Sequence, residues 1–246
     1  MNVLLISLNV IVLMIIILYL IIRGLSTRDN PKLFQYFVKR YEKQDCVKFP
    51  PSGSIVFTGS SVMKFWKTIE SDLAPIPVIN RGIAGAKIRE VAYYVDRIVI
   101  PYKPKAVVLY AGSNDIQGSD PRTPDQVFNG YREFVYRVHS ALPDVPVYYI
   151  SIIPSPAASR WKYWNIINKT NKMIKEFSKK DSLLRFIDIT DKFLDSNGRP
   201  ALEYFKRGKI HLNEKGYSIW ASVIKPVILN DIFNQKVRLT VEETNA

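Results

Sequence analysis

Apolar and polar positions follow two rhythms along this chain. Short continuous apolar runs recur at Ile55–Thr58, Pro75–Ile79, Ala106–Tyr110, Val147–Ile153 and Leu184–Ile189. Gly, Pro, Asn or Ser bounds each one, the pattern of a buried strand closed by a turn. Between them, apolar residues fall at helical spacing. After Thr123-Pro124, a cap followed by a proline at the first helical position, Val127, Phe134, Val135, Val138 and Leu142 share one face. Trp161–Lys180 puts Ile166, Ile167, Met173, Ile174 and Phe177 on one side and four lysines on the other. Further helices are expected over 61–73, over 87–100, and from a cap at Asn213 to near Phe233. Strand and helix alternate with no internal repeat. This predicts an α/β domain, a five-stranded parallel sheet between two helical layers. In such sheets functional residues gather at the carboxyl ends of the strands.

The pattern changes at both ends. Val3–Ile22 is apolar, with only Ser7 and Asn9 strongly polar. As a helix it would span about 30 Å, the thickness of a bilayer core. No Lys or Arg precedes it, and Ile21-Ile22-Arg23-Gly24 is no small-residue cleavage site, so it reads as an uncleaved transmembrane anchor rather than a signal peptide. The division expected is an anchor over 1–23, a basic linker helix over 24–52, the α/β domain over 53–234 and a disordered polar tail over 235–246. Arg23, Arg28, Lys32, Lys39 and Arg40 follow the span, which by the positive-inside rule puts the domain in the cytoplasm.

Composition narrows the function classes. The 246 residues are 47% apolar, enough for a core, and carry a net charge of +13. The lysines are spread over amphipathic helices and no nucleic-acid-binding pattern is present, so a solvated basic surface near anionic lipid headgroups is favoured over a nucleic-acid partner. The single cysteine, Cys46, excludes an intramolecular disulfide and a cysteine-built zinc site. No metal or other cofactor is expected. His139 and His211 are the two histidines. His139 lies at the border of an apolar helical face and is assigned to packing or to the surface.

The stretch that carries chemistry is Ile55–Trp66, IVFTGSSVMKFW. A strand breaks at Gly59 into two serines that open a helix. Helix N–H groups there favour negative charge developing on a substrate oxygen, as in acyl transfer. Taken alone, the same letters also describe a capped turn. Ser61, Gly85, Asn114 and His211 all fall at or beyond strand ends, and that convergence points to a site.

Four blocks resemble the SGNH (GDSL) hydrolase superfamily of esterases and lipases, in its order. They are Gly59-Ser60-Ser61, Asn80-Arg81-Gly82-Ile83-Ala84-Gly85, Gly112-Ser113-Asn114-Asp115, and His211-Leu212-Asn213 with Gly216-Tyr217. Ser155-Pro156 and Arg160-Trp161 resemble a segment of a bacterial branch. The resemblance implies a flavodoxin-like three-layer α/β/α fold. It implies Ser61 as nucleophile, His211 as general base and then acid, and an oxyanion hole from the Ser61 and Gly85 N–H groups and the Asn114 amide. It more often goes with an outward-facing domain, so the membrane side stays open. The family's Asp-x-x-His is broken here: Gly208 stands three places before His211, among Lys206, Arg207 and Lys209. A backbone carbonyl or a remote carboxylate, Asp188 or Asp115, would then have to orient the imidazole, although both read more simply as strand-end or turn residues. The expected function is a membrane-anchored serine esterase acting on a lipid or acetylated glycan. The alternative is a catalytically impaired relative that binds an acyl or glycan ligand. A nucleotide-binding module is disfavoured, because the Gly-x-Gly-x-x-Gly and P-loop patterns are missing.

Overall fold

The computed structural model describes residues 10–17, 30–117, 120–157 and 161–244. Five strands form one parallel sheet: β1 (Ile55–Gly59), β2 (Val78–Gly82), β3 (Ala106–Tyr110), β4 (Val147–Ile150) and β5 (Leu184–Ile187). Their order is β2-β1-β3-β4-β5. Every pairing is parallel, for example Gly59 opposite Gly82 and Tyr110. The predicted three-layer architecture is what forms.

Alternation along the strands sorts the core into two halves. Val56, Val107, Leu109, Val147 and Tyr149 face one layer. It contains α1 (Gln35–Val47), α4 (Ile88–Tyr93), α5 (Val95–Ile98), α7 (Pro124–Ala141) and α8 (Trp164–Ser178). Ile55, Phe57, Val108, Tyr110, Tyr148 and Ile150 face the other. That layer is built by α2 (Ser61–Lys64), α3 (Ile69–Leu73) and α9 (Glu214–Thr244), with Trp66 and Trp220 fully buried between them. The short helix α6 (Ser113–Ile116) follows β3 and packs into the first layer through Ile116.

Several elements depart from the sequence pattern. The helix expected over 61–73 is two, α2 and α3, and that over 87–100 is also two, α4 and α5. The second strand lies later than expected, at Val78–Gly82, because Pro75 and Pro77 lack the N–H a strand ladder needs. At the carboxyl end, α9 runs on to Thr244 past the end expected near Phe233, into the segment 235–246 read as disordered.

The segment read as a linker does more than connect. A 3₁₀ turn at Pro31–Phe34 leads into α1, which buries Val38 and Tyr41 in the core. Asn30 N–H donates to Glu90, Tyr94 O–H to the Pro31 carbonyl and Tyr41 O–H to the Gly82 carbonyl. Residues 30–47 therefore pack as part of the α/β body. Most of Val3–Ile22 lies outside the described residues; residues 10–17 are helical, with their apolar side chains exposed. Among the described residues no helix is long and apolar enough to cross a membrane.

Candidate active site

Glycines shape the site at the carboxyl ends of β1, β2 and β3. Gly59 has φ +138°, and a Cβ there would sit 1.9 Å from the Tyr110 carbonyl oxygen. Only glycine lets β1 turn so close to β3. Ser60 N–H then donates to the same carbonyl at 2.9 Å, and the chain enters α2 with Ser61 as its first residue. A Cβ on Gly82 would meet the Lys64 nitrogen at 2.4 Å, so β2 ends hard against α2. Asn80 locks that approach. Its amide donates to the Met63 carbonyl at 2.7 Å, while its side-chain oxygen accepts from Gly82 N–H.

Gly85 follows with φ +85°, in the left-handed region. Gly112, with φ +108°, turns β3 into α6, and α6 carries Asn114. The Asn114 amide donates to the Ala86 carbonyl at 3.0 Å, which fixes its rotamer beside the Gly85 turn. An amide nitrogen has two N–H groups, so one remains to aim elsewhere. The Asp115 carboxylate accepts Ile88 N–H at 3.0 Å and so secures the start of α4.

His211 stands just before α9, in the same layer as α2. Its Nε2 lies 3.0 Å from Ser61 Oγ, across 150 positions of sequence. With the ring neutral and protonated on Nδ1, Nε2 accepts the serine hydroxyl proton. Phe65, one turn after Ser61, meets the imidazole edge-on with ring centroids 5.0 Å apart. Tyr217 O–H donates to the Val62 carbonyl at 2.7 Å, tying the base of α9 to α2.

The loop before His211 is held by its backbone. Lys206 N–H donates to the His211 carbonyl, and Lys209 N–H to the Lys206 carbonyl. Lys209 takes a left-handed φ of 57°. Ser155 O–H donates to the Lys209 carbonyl at 2.7 Å. Gly208 is exposed, and nothing lies within 4 Å of where its Cβ would be. Asp188, the other remote acid considered, bonds instead to Lys175 Nζ and Thr190 N–H. His139 donates to the Val145 carbonyl in a structural contact.

Two clefts flank the loop. One, of about 600 Å³, is lined by Phe65, Lys67, Lys206, Asn213 and Tyr217. The other, of about 740 Å³, is lined by Pro156, Trp161, Arg199, Leu202 and Lys209. Glu203 borders both.

The structure thus brings Ser61 and His211 into contact and sets Asn114 against the Gly85 turn. Sequence reasoning missed Asn80 as a clamp, Phe65 as a wall and Ser155 as a loop tie. It also missed Phe34, whose ring carbon lies 3.6 Å from a Cβ built on Gly85. The spacing of Phe65 four places after Ser61 on an expected helix could have flagged that residue. No sequence signal brings Phe34 to Gly85.

One further group shapes the local electrostatics. Burial pushes the Lys64 ammonium down to about 8, and the nearby Lys67, Arg40 and Arg81 add to it. Its Nζ donates to Tyr41 O–H at 2.7 Å and lies 4.3 Å from the centre of that ring.

Comparison with known proteins agrees with this architecture. The chain is similar in fold to a Streptococcus pneumonia protein assigned to platelet activating factor: TM-score 0.69, 20% identity, covering 80% of this chain and 92% of that one. It is similar to a Bacteroides fragilis protein assigned as an acylhydrolase: TM-score 0.69, 22% identity, covering 78% and 96%. It is also similar to a GDSL-like lipase from Bacteroides thetaiotaomicron: TM-score 0.67, 20% identity, covering 79% and 98%. No curated protein matches the sequence. At these identities the structures speak for the fold alone. The sequence itself goes further: residues 57–219, which hold all four motif blocks, match one family model, and the chain belongs to the GDSL-like lipase/acylhydrolase family.

Proposed function

We propose that this chain is a serine ester hydrolase working through an acyl-enzyme on Ser61. The observation that carries the reading is the 3.0 Å approach of His211 Nε2 to Ser61 Oγ. A serine hydroxyl is a weak nucleophile until a base takes its proton, and a neutral imidazole at hydrogen-bond distance does so. Attack on the ester carbonyl gives a tetrahedral oxyanion. The N–H groups of Ser61 and Gly85 and the free N–H of Asn114 receive that charge. His211 then protonates the leaving alcohol, the C–O bond breaks, and Ser61 carries the acyl group. Water, deprotonated by the same imidazole, attacks the acyl carbonyl and releases the acid. His211 serves as the base with no side chain at position 208 to assist. Val3–Ile22 serves as a single-pass anchor holding the domain at a bilayer. The substrates are small-molecule esters, in a lipid or an acetylated glycan, and the flanking clefts leave room for groups larger than acetyl.

Labelling with a fluorophosphonate probe tests this without knowing the substrate. Wild type is expected to label and to hydrolyse a short acyl nitrophenyl ester, and Ser61→Ala to do neither. Equal labelling of the two proteins would end the proposal.

Gly208 favours a second reading, a binding protein that keeps the pocket and has lost turnover. Its mark would be an acyl or glycan ligand that raises thermal stability equally in wild type and Ser61→Ala, with no hydrolysis.

A further inference from the structure

The outward face of α1 carries bases and exposed apolar groups together. The helix carries two acids, Glu42 and Asp45, and each is paired with an arginine of the α/β body. Glu42 takes Arg97 in a two-point ion pair at 2.6 and 2.7 Å. Asp45 holds Arg81 at 2.5 Å and accepts from Tyr102 O–H. The bases Lys39, Arg40 and Lys43 all point out, joined by Lys32 and Lys48 at the ends of the segment. Between them stand large apolar groups in water: Tyr36 is 69% exposed and Val47 86%. Leu33 and Phe49, just beyond the helix, are also exposed. A shallow groove of about 640 Å³ runs along this face, lined by Tyr36, Lys39, Arg40, Lys43, Gln44 and Val47.

Cations interleaved with an aromatic and aliphatic ridge match an anionic lipid surface, where ammonium groups meet phosphates and rings enter the headgroup layer. Position along the chain agrees. If Val3–Ile22 spans the bilayer, as proposed above, residues 23–30 reach at most roughly 30 Å even fully extended. The face is thus tethered within a short distance of headgroups, and electrostatic attraction acts over about 8–10 Å in salt.

We infer that this face of α1 docks on an anionic lipid surface and fixes how the domain sits on its membrane. The inference rests on the anchor reading for proximity and on the charge pattern for the choice of partner. Docking also orients the candidate site. The buried side of α1 reaches the end of β2 through the Tyr41–Gly82 hydrogen bond, and Phe34 stands against Gly85. The candidate oxyanion side therefore lies just behind the docked helix. Esters carried in the same lipid surface would be presented there.

The test uses the full chain with Val47→Cys in a Cys46→Ser background, labelled with a polarity-sensitive dye. It is reconstituted in phosphatidylcholine vesicles, with or without roughly one-third phosphatidylglycerol. Each basic residue near such a surface favours binding by about fivefold. In the anionic vesicles the dye is expected to shift to the blue and to lose about fivefold in quenching by iodide. The triple variant Lys39→Glu, Arg40→Glu, Lys43→Glu and high salt should each remove the effect. A dye on Tyr136→Cys, on α7, should not respond. Equal quenching in both vesicle types, or protection that survives charge reversal, would overturn the inference. So would failure to associate with either vesicle, which removes the anchor as well. Hydrolysis of the nitrophenyl ester in detergent is followed alongside. If hydrolysis is absent but composition-dependent protection persists, the esterase reading fails and the docking stands.

Discussion

The two halves of the candidate site are built by different means. On the nucleophile side, backbone crowding leaves no choice. Gly59 and Gly82 sit where a single Cβ would strike the Tyr110 oxygen or the Lys64 nitrogen, and Asn80 bonds across the gap. Ser61 is held where the ends of β1, β2 and β3 crowd against one another and α2. On the base side, the loop 206–211 is exposed for most of its length and closed by its own backbone bonds and the Ser155 tie. Nothing lies within 4 Å of where a Cβ on its Gly208 would be. A nucleophile position enforced by sterics tolerates no change, whereas a base position set by a few hydrogen bonds leaves room to alter chemistry without altering the fold.

The largest expected effect breaks that contrast directly. Gly59→Ala should cost more than about 3 kcal/mol, through both the clash and the positive φ, and leave little folded protein. Gly208→Ala should melt within about 2 °C of wild type. Comparable melting of the two variants by circular dichroism would erase the distinction.

Next is the oxyanion side. Asn114→Ala should lower kcat by about 10²–10³ with little change in KM, because the lost N–H is used chiefly in the transition state. A variant that loses only KM would place Asn114 in ground-state binding.

Gly208→Asp sharpens the base side. Open space at this position lets a carboxylate enter three residues before His211, and its charge favours the imidazolium. Turnover is expected to rise about tenfold, with melting unchanged. An unaltered rate would show that other groups already orient the imidazole.

The smallest effect concerns Lys64. Its folded pKa of about 8 lies below the ordinary 10.5. Between those values the unfolded chain binds more protons, so stability rises with pH across that window. Below about pH 8 both states are protonated, and the cost of half-burying the ammonium is constant. Relative to Lys64→Met, wild type should therefore gain stability from about pH 8 to 10.5. Partial exposure keeps the gain near about 1 °C in melting temperature.

How much could be read in advance varies with the range of the interaction. β1, β3 and the start of β4 were legible, since a buried parallel strand is a continuous apolar run. The breaks inside 61–73 and 87–100 were not, because apolar spacing continues across them. The second strand was misplaced by its prolines. Segment 24–52 was read as a connector because its charges are visible in sequence and the partners of Glu42, Asp45 and Tyr41 are not.

The sequence by itself determined the layered α/β fold, the four motif blocks and the candidates for the reacting side chains. Strand period, turn glycines and motif spacing are local properties. Tertiary structure decided the rest. It brought His211 to Ser61 from a distant segment, laid α1 against the end of β2, paired the acids of α1 with arginines and left its bases outward. Those outcomes depend on which surfaces meet when the layers close, and no short window of residues encodes that.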